Sequence, residues 1–212
     1  MDKREQLEQL RAECAGCRNC GLCETRTNLV FGVGDPESRL MFIGEGPGEQ
    51  EDLRGEPFVG RAGHLLDLML DAVDLSREKN IYIANIVKCR PPKNRDPLPE
   101  EQDGCIDWLE RQVNIINPDV IVCLGRIAAM RIIKQDIKIT REHGLFFRKT
   151  LDFGGSGGME HSGRRILMMP MLYPAAILRN PNQKPEAFAD FLRLRDYLEG
   201  TLREEDMGII EL

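Results

Sequence analysis

Hydrophobic residues in this chain gather into four short runs with few charges: Leu40 to Ile43, Ile81 to Val87, Val120 to Leu124 and Ile166 to Leu172. None alternates apolar with polar positions, so each predicts a strand covered on both faces. Each is followed by a turn and then by helical spacing, with helices at about 62–74, 100–116, 126–134 and 183–199. A short charged helix over residues 3–13, with Leu7 and Leu10 on one side, precedes them. Such strands separated by helices predict a parallel sheet with right-handed crossovers. The expected fold is a three-layer α/β/α sandwich around a four-stranded parallel sheet.

In open parallel sheets, ligands bind beyond the carboxyl ends of the strands. Three chemically rich segments fall there: Gly44 to Glu49, Asn85 to Arg95 and Tyr173 to Pro181. Their convergence on one rim predicts an active site. No internal repeat is visible, and the glycine-rich patch 154–158 reads as a flexible loop or hairpin tip. The chain after Gly200 is acidic, which predicts a single domain over 1–200 followed by a partly disordered tail over 201–212.

At 212 residues the chain suits one domain with a full core. No stretch approaches the roughly 20 apolar residues of a membrane span. The charged start, Met1-Asp2-Lys3-Arg4-Glu5, lacks the apolar core of a secretory signal. The expectation is a cytoplasmic monomer without a membrane partner. A net charge of −6 argues against indiscriminate nucleic-acid binding but leaves room for a local basic face. Lys88, Arg90, Lys93 and Arg95 form such a strip, unless they are simply a solvated loop.

Seven cysteines in a reducing compartment point to a metal rather than disulfides. Cys14, Cys17, Cys20 and Cys23 recur at every third position, and Cys89 and Cys105 lie far downstream. The spacing fits a [4Fe–4S] centre or a tetrahedral zinc. The plain alternative makes Cys89 and Cys105 small buried apolar residues, as Cys123 inside its apolar strand is expected to be.

The motifs also form an ordered series. Cys17-x-x-Cys20-x-Leu22, Arg26-Thr27 and Phe31-Gly32 lead into Gly44-Glu45-Gly46-Pro47-Gly48. Glu51-Asp52 and Pro57-Phe58-Val59-Gly60 follow, then Asn85-Ile86-Val87-Lys88-Cys89-Arg90-Pro91-Pro92 and Cys105. From about Cys17 to Arg195 this series resembles the family four uracil-DNA glycosylases, the iron–sulfur branch of that superfamily. The resemblance implies a DNA-repair hydrolase that flips uracil, or a related deaminated base, out of single- or double-stranded DNA and cuts its N-glycosidic bond. It implies a structural [4Fe–4S] cluster on Cys17, Cys20, Cys89 and Cys105, with Cys14 and Cys23 as extras. Exchange of ligands among the N-terminal cysteines stays open, and zinc is the alternative metal.

Breaking that bond puts negative charge on O2 of the base and leaves a cation-like sugar. The site therefore needs donors at the base and a carboxylate or water near the sugar. By the resemblance Glu45 is that carboxylate, with Glu51 the second candidate; Glu51-Asp52 also fits a solvated acidic turn. Gly44 and Gly46 let backbone N–H groups approach the base, although the loop alone also fits an ordinary tight turn. Phe58 would be the stacking platform. Asn85 would offer one donor and one acceptor to the uracil edge, unless it is a buried amide supporting the loops. Ile177 and Leu178 would wedge into the duplex and Arg179 would meet a phosphate, as would Arg90, Lys93 and Arg95.

The chain departs from the family pattern at one place. Where the last motif opens with histidine before Pro-Ala, this sequence has Tyr173. The histidine's expected role is to donate to O2, and tyrosine offers an O–H donor on a larger ring. Tyr173 then serves as a weaker donor, reshapes the pocket for another deaminated base, or leaves a site that binds without cutting. The contrasting class is an iron–sulfur DNA-binding protein on a glycosylase scaffold, with little or no base excision.

Overall fold

The computed structural model describes residues 1–151 and 164–212. The glycine-rich patch 154–158 and His161 lie outside the described residues. In chain order the elements are α1 (Lys3–Ala15), β1 (Val33–Gly34), β2 (Leu40–Gly44), α2 (Glu49–Arg54) and α3 (Arg61–Asp71). Next come β3 (Tyr82–Asn85), α4 (Pro99–Ile116), β4 (Val120–Leu124), α5 (Arg126–Ile132) and α6 (Ile139–Glu142). The last are β5 (Phe147–Thr150), β6 (Arg165–Met171), α7 (Pro174–Arg179), α8 (Lys184–Leu198) and β7 (Ile210–Glu211).

Among the described residues the sheet has seven strands in the order β1-β3-β2-β4-β6-β5-β7, more than the four expected. The central four, β3-β2-β4-β6, are the predicted parallel ones. β1 and β5 flank them antiparallel, and β7 runs parallel to β5. These outer strands escape the sequence because they are short or polar: β1 and β7 have two residues each, and β5 is Phe147-Arg148-Lys149-Thr150. In the acidic stretch after Gly200, β7 docks on β5 and Met207 is buried. Arg148 pairs with Glu204 at 2.5 Å and Arg165 pairs with Glu211, so the tail's carboxylates answer cations on the neighbouring strands.

The runs without alternation are explained by two cores. Met41, Ile43, Ile121, Cys123 and Met168 face α1, α4 and α5, whereas Phe42, Val120, Val122, Leu167 and Met169 face α3, α7 and α8. The longer helices present their apolar stripes to one of these layers. On α3 it is Leu66, Met69 and Leu70; on α4 it is Ile106, Leu109, Val113 and Ile116. Pro99 opens α4, and Asn117 in the left-handed region closes it just before Pro118. Both faces of the sheet are thus covered, as the strand pattern requires.

Candidate active site and cysteine pocket

β2 and β4 are neighbours, but β2 leads to β3 on one side and β4 to β6 on the other. Loops leaving their carboxyl ends diverge at that switch point and open a crevice. The β2–β3 register sets Gly44 opposite Asn85. Beyond Asn85 the chain stays tied to the β2 loop, with Ile86 N–H donating to Gly44 O and Val87 N–H to Glu45 O. From β6 the chain brings Tyr173 to Gly125, whose φ of +85° and lack of a side chain leave room for the ring. A pocket of about 410 Å³ results, bordered by Glu45, Gly46, Glu51, Phe58, Asn85 and Tyr173. That volume suits a single base with part of its sugar.

Gly44 lies beneath this pocket. A Cβ there would come within 2.5 Å of Asn85 Oδ1 and 2.6 Å of Phe58 Cζ, so only glycine lets amide and ring share the floor. Phe58 and Tyr173 meet edge to face with centroids 6.2 Å apart. Phe58 holds a φ of +54°, which costs about 1–3 kcal/mol and persists only where the surroundings enforce it. Asn85 is 2% exposed, and its Oδ1 has no hydrogen-bond partner among the described residues. A buried orphan acceptor costs about 1–3 kcal/mol and is kept where a ligand supplies the donor.

The electrostatics favour one proton-holding carboxyl. Burial, with some help from Asp96, raises the Glu45 carboxyl to about 7 against the pull of Arg126. Burial, then the carboxylates Glu45 and Glu51, push the Tyr173 phenol above its usual range, so it keeps its proton and remains a donor at neutral pH. Glu51 faces the same pocket, but its Oε1 is occupied by N–H groups of Val59 at 2.9 Å and Gly60 at 2.8 Å.

Several expected DNA contacts need revision. Lys88 does not belong to the basic strip: it is 1% exposed, and its Nζ donates to Asn85 O and Gln112 Oε1. Ile177 is 1% exposed and packs in the α3–α8 core, so it is not free to wedge a duplex; Leu178 beside it is half-buried. Arg95 is held by Glu101 through two hydrogen bonds, and Arg90 bonds Asn94 and lies 3.7 Å from Glu49. Lys93 and Arg179 are exposed, the latter at the pocket. The sequence reading missed Arg61, which also borders the pocket. Its signal was a cation in the first turn of a helix, where the backbone dipole gives it no structural advantage.

A second pocket is lined by Cys14, Cys17, Cys20, Cys23, Cys89 and Cys105. The sulfurs of the four expected ligands each face an N–H donor. Arg26 Nη1 donates to Cys89 at 3.2 Å, Trp108 Nε1 to Cys17 at 3.3 Å, and Lys88 N to Cys105 at 3.2 Å. The Leu22 backbone does the same for Cys20. Cys14 sits fully buried, with burial pushing its thiol up to about 12. Cys123 is buried in the core strand, as expected. Although six cysteines share this pocket, no three of the described Cys, His, Asp or Glu residues converge tightly enough for one metal ion.

Residues 31–194 match the family model of the uracil DNA glycosylase superfamily. The chain is 42% identical over 194 residues to a type-4 uracil-DNA glycosylase of Archaeoglobus fulgidus, covering 90% of this chain and 92% of that protein. To the type-4 enzyme of Thermotoga maritima it is 43% identical over 182 residues, 85% of this chain and 88% of that one. A type-5 uracil-DNA glycosylase of Thermus thermophilus matches over a shorter stretch, 39% identical across 47% of this chain and 51% of its own length. The chain belongs to the uracil DNA glycosylase superfamily. Among the described residues, no helix is long and apolar enough to cross a membrane.

Proposed function

We propose that this protein is a uracil-DNA glycosylase that receives a flipped-out base in the pocket beneath Glu45 and Tyr173. The observation that carries the reading is the orphaned Asn85 Oδ1 beside the Phe58 ring. Uracil presents an N3–H donor next to its O4 acceptor, so an amide can satisfy both at once. Cytosine reverses both polarities, and a site built around such hydrogen bonds rejects it strongly. Phe58 provides a face for the base, and Gly44 and Gly46 keep the backbone close to it.

Chemistry follows from the charges. As the bond between C1′ and N1 breaks, its electron pair leaves with the base and the sugar becomes cation-like. The Tyr173 hydroxyl supplies a donor for the charge on O2, in the role histidine has in the family pattern. Ionised Glu45 stabilises the sugar cation and orients the water whose oxygen bonds to C1′, taking its proton, which passes on to the departing base anion and leaves Glu45 ionised again. Leu178 is the remaining apolar group at the edge of the site that can occupy the gap left in the duplex. Arg179, Lys93 and Arg61 meet phosphates directly, while Arg90 and Arg95 do so after exchanging their present partners.

The cysteine pocket supports a [4Fe–4S] cluster on Cys17, Cys20, Cys89 and Cys105. Four N–H donors directed at four sulfurs suit thiolates. Such a cluster would tie the N-terminal segment to β3 and α4 structurally.

The test is time-resolved base release from single-stranded and G·U-mismatched oligonucleotides by the natural protein and by Tyr173→His. Release by both, with the natural protein not far slower, is expected. No release until histidine is restored would replace this reading with another base or a binding role.

A further inference from the structure

Arg77 stands behind the pocket wall with a side chain only 9% exposed. Its Nη1 donates to Pro57 O at 2.8 Å and its Nη2 to Phe58 O at 3.0 Å. The same guanidinium is fixed on α3 by Asp67 Oδ1, 2.7 Å from Nη2 and 3.1 Å from Nε. On the other side of the loop, Glu51 Oε1 takes the N–H groups of Val59 and Gly60. Phe58 is thus gripped through the carbonyls at and before it and the amides after it, at a residue whose φ is +54°. Gly63 completes the enclosure: a Cβ there would lie 1.8 Å from Phe58 O, so α3 can back the loop only with glycine at this position.

An aromatic residue does not choose this backbone conformation unaided. Without the grip the peptide would relax and carry the ring away from the floor it shares with Asn85. We infer that Arg77 is a positioning residue for base recognition, which acts with Glu51 from opposite sides of the loop to fix the angle at which Phe58 meets the flipped base. This rests on Phe58 being the stacking platform. It also makes Glu51 a loop anchor rather than the carboxylate of the reaction, which leaves that part to Glu45. Arginine is required because its planar fork spans two carbonyls and a carboxylate, whereas a lysine ammonium offers no such geometry.

The experiment compares Arg77→Lys with the natural protein, both purified as full chains. Amide hydrogen exchange should show protection at Val59 and Gly60 falling about tenfold or more while β2, β3 and β4 keep theirs. Single-turnover uracil release should fall about ten- to a hundredfold. Inhibition by free uracil should weaken by a similar factor, whereas affinity for DNA carrying a stable abasic analogue, which has no base to stack, should hold. Glu51→Gln keeps one acceptor oxygen and should slow release only several-fold without altering the shape of the pH profile. Unchanged exchange at Val59 and Gly60, or abasic-DNA binding falling in step with uracil inhibition, overturns the inference. So does a Glu51→Gln protein that loses a pH limb. Should Arg77→Lys fail to fold, Asp67→Asn removes the guanidinium's anchor from a more exposed position and is read in the same way. A natural protein that neither releases nor binds uracil would sink the uracil reading alone, because the exchange measurement still judges the grip.

Discussion

Glu45→Gln should make the protein more stable at neutral pH while abolishing most of its activity. A carboxyl whose pKa rises on folding binds its proton more tightly in the folded chain than in the unfolded one. Stability therefore falls as pH climbs from the unfolded value near 4.5 through about 7, then levels off. That interval corresponds to about 3 kcal/mol, and the solvent still reaching the carboxylate reduces it to about 2 kcal/mol. Glutamine has the same shape and no charge to desolvate. At pH 8 the variant should melt about 4–8 °C above the natural protein, a gap that closes by pH 5 where Glu45 is already protonated. Thermal melts at the two pH values measure this, alongside base-release rates. For the natural protein those rates should rise with pH through about 7 as Glu45 ionises. An equal melting difference at both pH values would refute the argument, because a pH-independent gain cannot come from relief of a buried charge. Asp96→Asn offers a check of sign: removing a neighbouring negative charge should move the activity limb to lower pH.

Tyr173→Phe removes the O–H donor and leaves the ring, so base release should slow about a hundred- to a thousandfold in single-turnover kinetics with little change in melting temperature. Gly44→Ala places a methyl group against Asn85 and Phe58, and should abolish inhibition by free uracil while DNA binding persists. If the proposed [4Fe–4S] cluster is held there, Cys89→Ser should lose iron, sulfide and brown colour together with thermal stability, as iron and sulfide assays and thermal melts would read. Arg179→Ala should weaken binding to all DNA sequences alike and lower the salt slope of log K by about 0.7–0.9, as read by titrations at several salt concentrations.

The central sheet was legible because burial on both faces leaves an unmistakable trace: Val120 to Leu124 is apolar at every position, and the strand has those bounds. The outer strands left no such trace. Arg148 and Lys149 sit on β5 because a sheet edge is half solvated, and their polarity hides the strand. In the site, Glu45, Phe58, Asn85 and Tyr173 could be placed on one rim from the order of the motifs. Burial at the rim could not. Ile177 reads as an exposed wedge in Pro-Ala-Ala-Ile-Leu-Arg, yet the helical turn that carries it points it into the core and leaves Leu178 nearer the surface. Lys88 reads as part of a basic strip because charge in sequence does not reveal direction. Arg77 was invisible for a similar reason, since its partners are backbone carbonyls nineteen and twenty residues away that carry no sequence signature.

The position of Lys88 explains how Asn85 in the one pocket and Cys89 in the other are tied into one loop. Asn85 ends β3, and Cys89 follows four residues later. Between them the backbone N–H of Lys88 donates to Cys105 Sγ, its carbonyl accepts from Val30 N–H, and its Nζ returns to the carbonyl of Asn85. Gln112 on α4 receives the same Nζ at 2.6 Å and itself donates to Phe31 O. Asn85, the proposed base-reading residue, therefore begins a segment whose other end is Cys89 and which a fully buried side chain holds along its length. An orphaned amide oxygen can discriminate between bases only if it stays in place when the pocket is empty, since an amide free to turn would satisfy itself locally. The cysteine pocket and the end of β3 are joined by one short segment, Asn85 to Cys89, which Lys88 holds through both its backbone and its side chain.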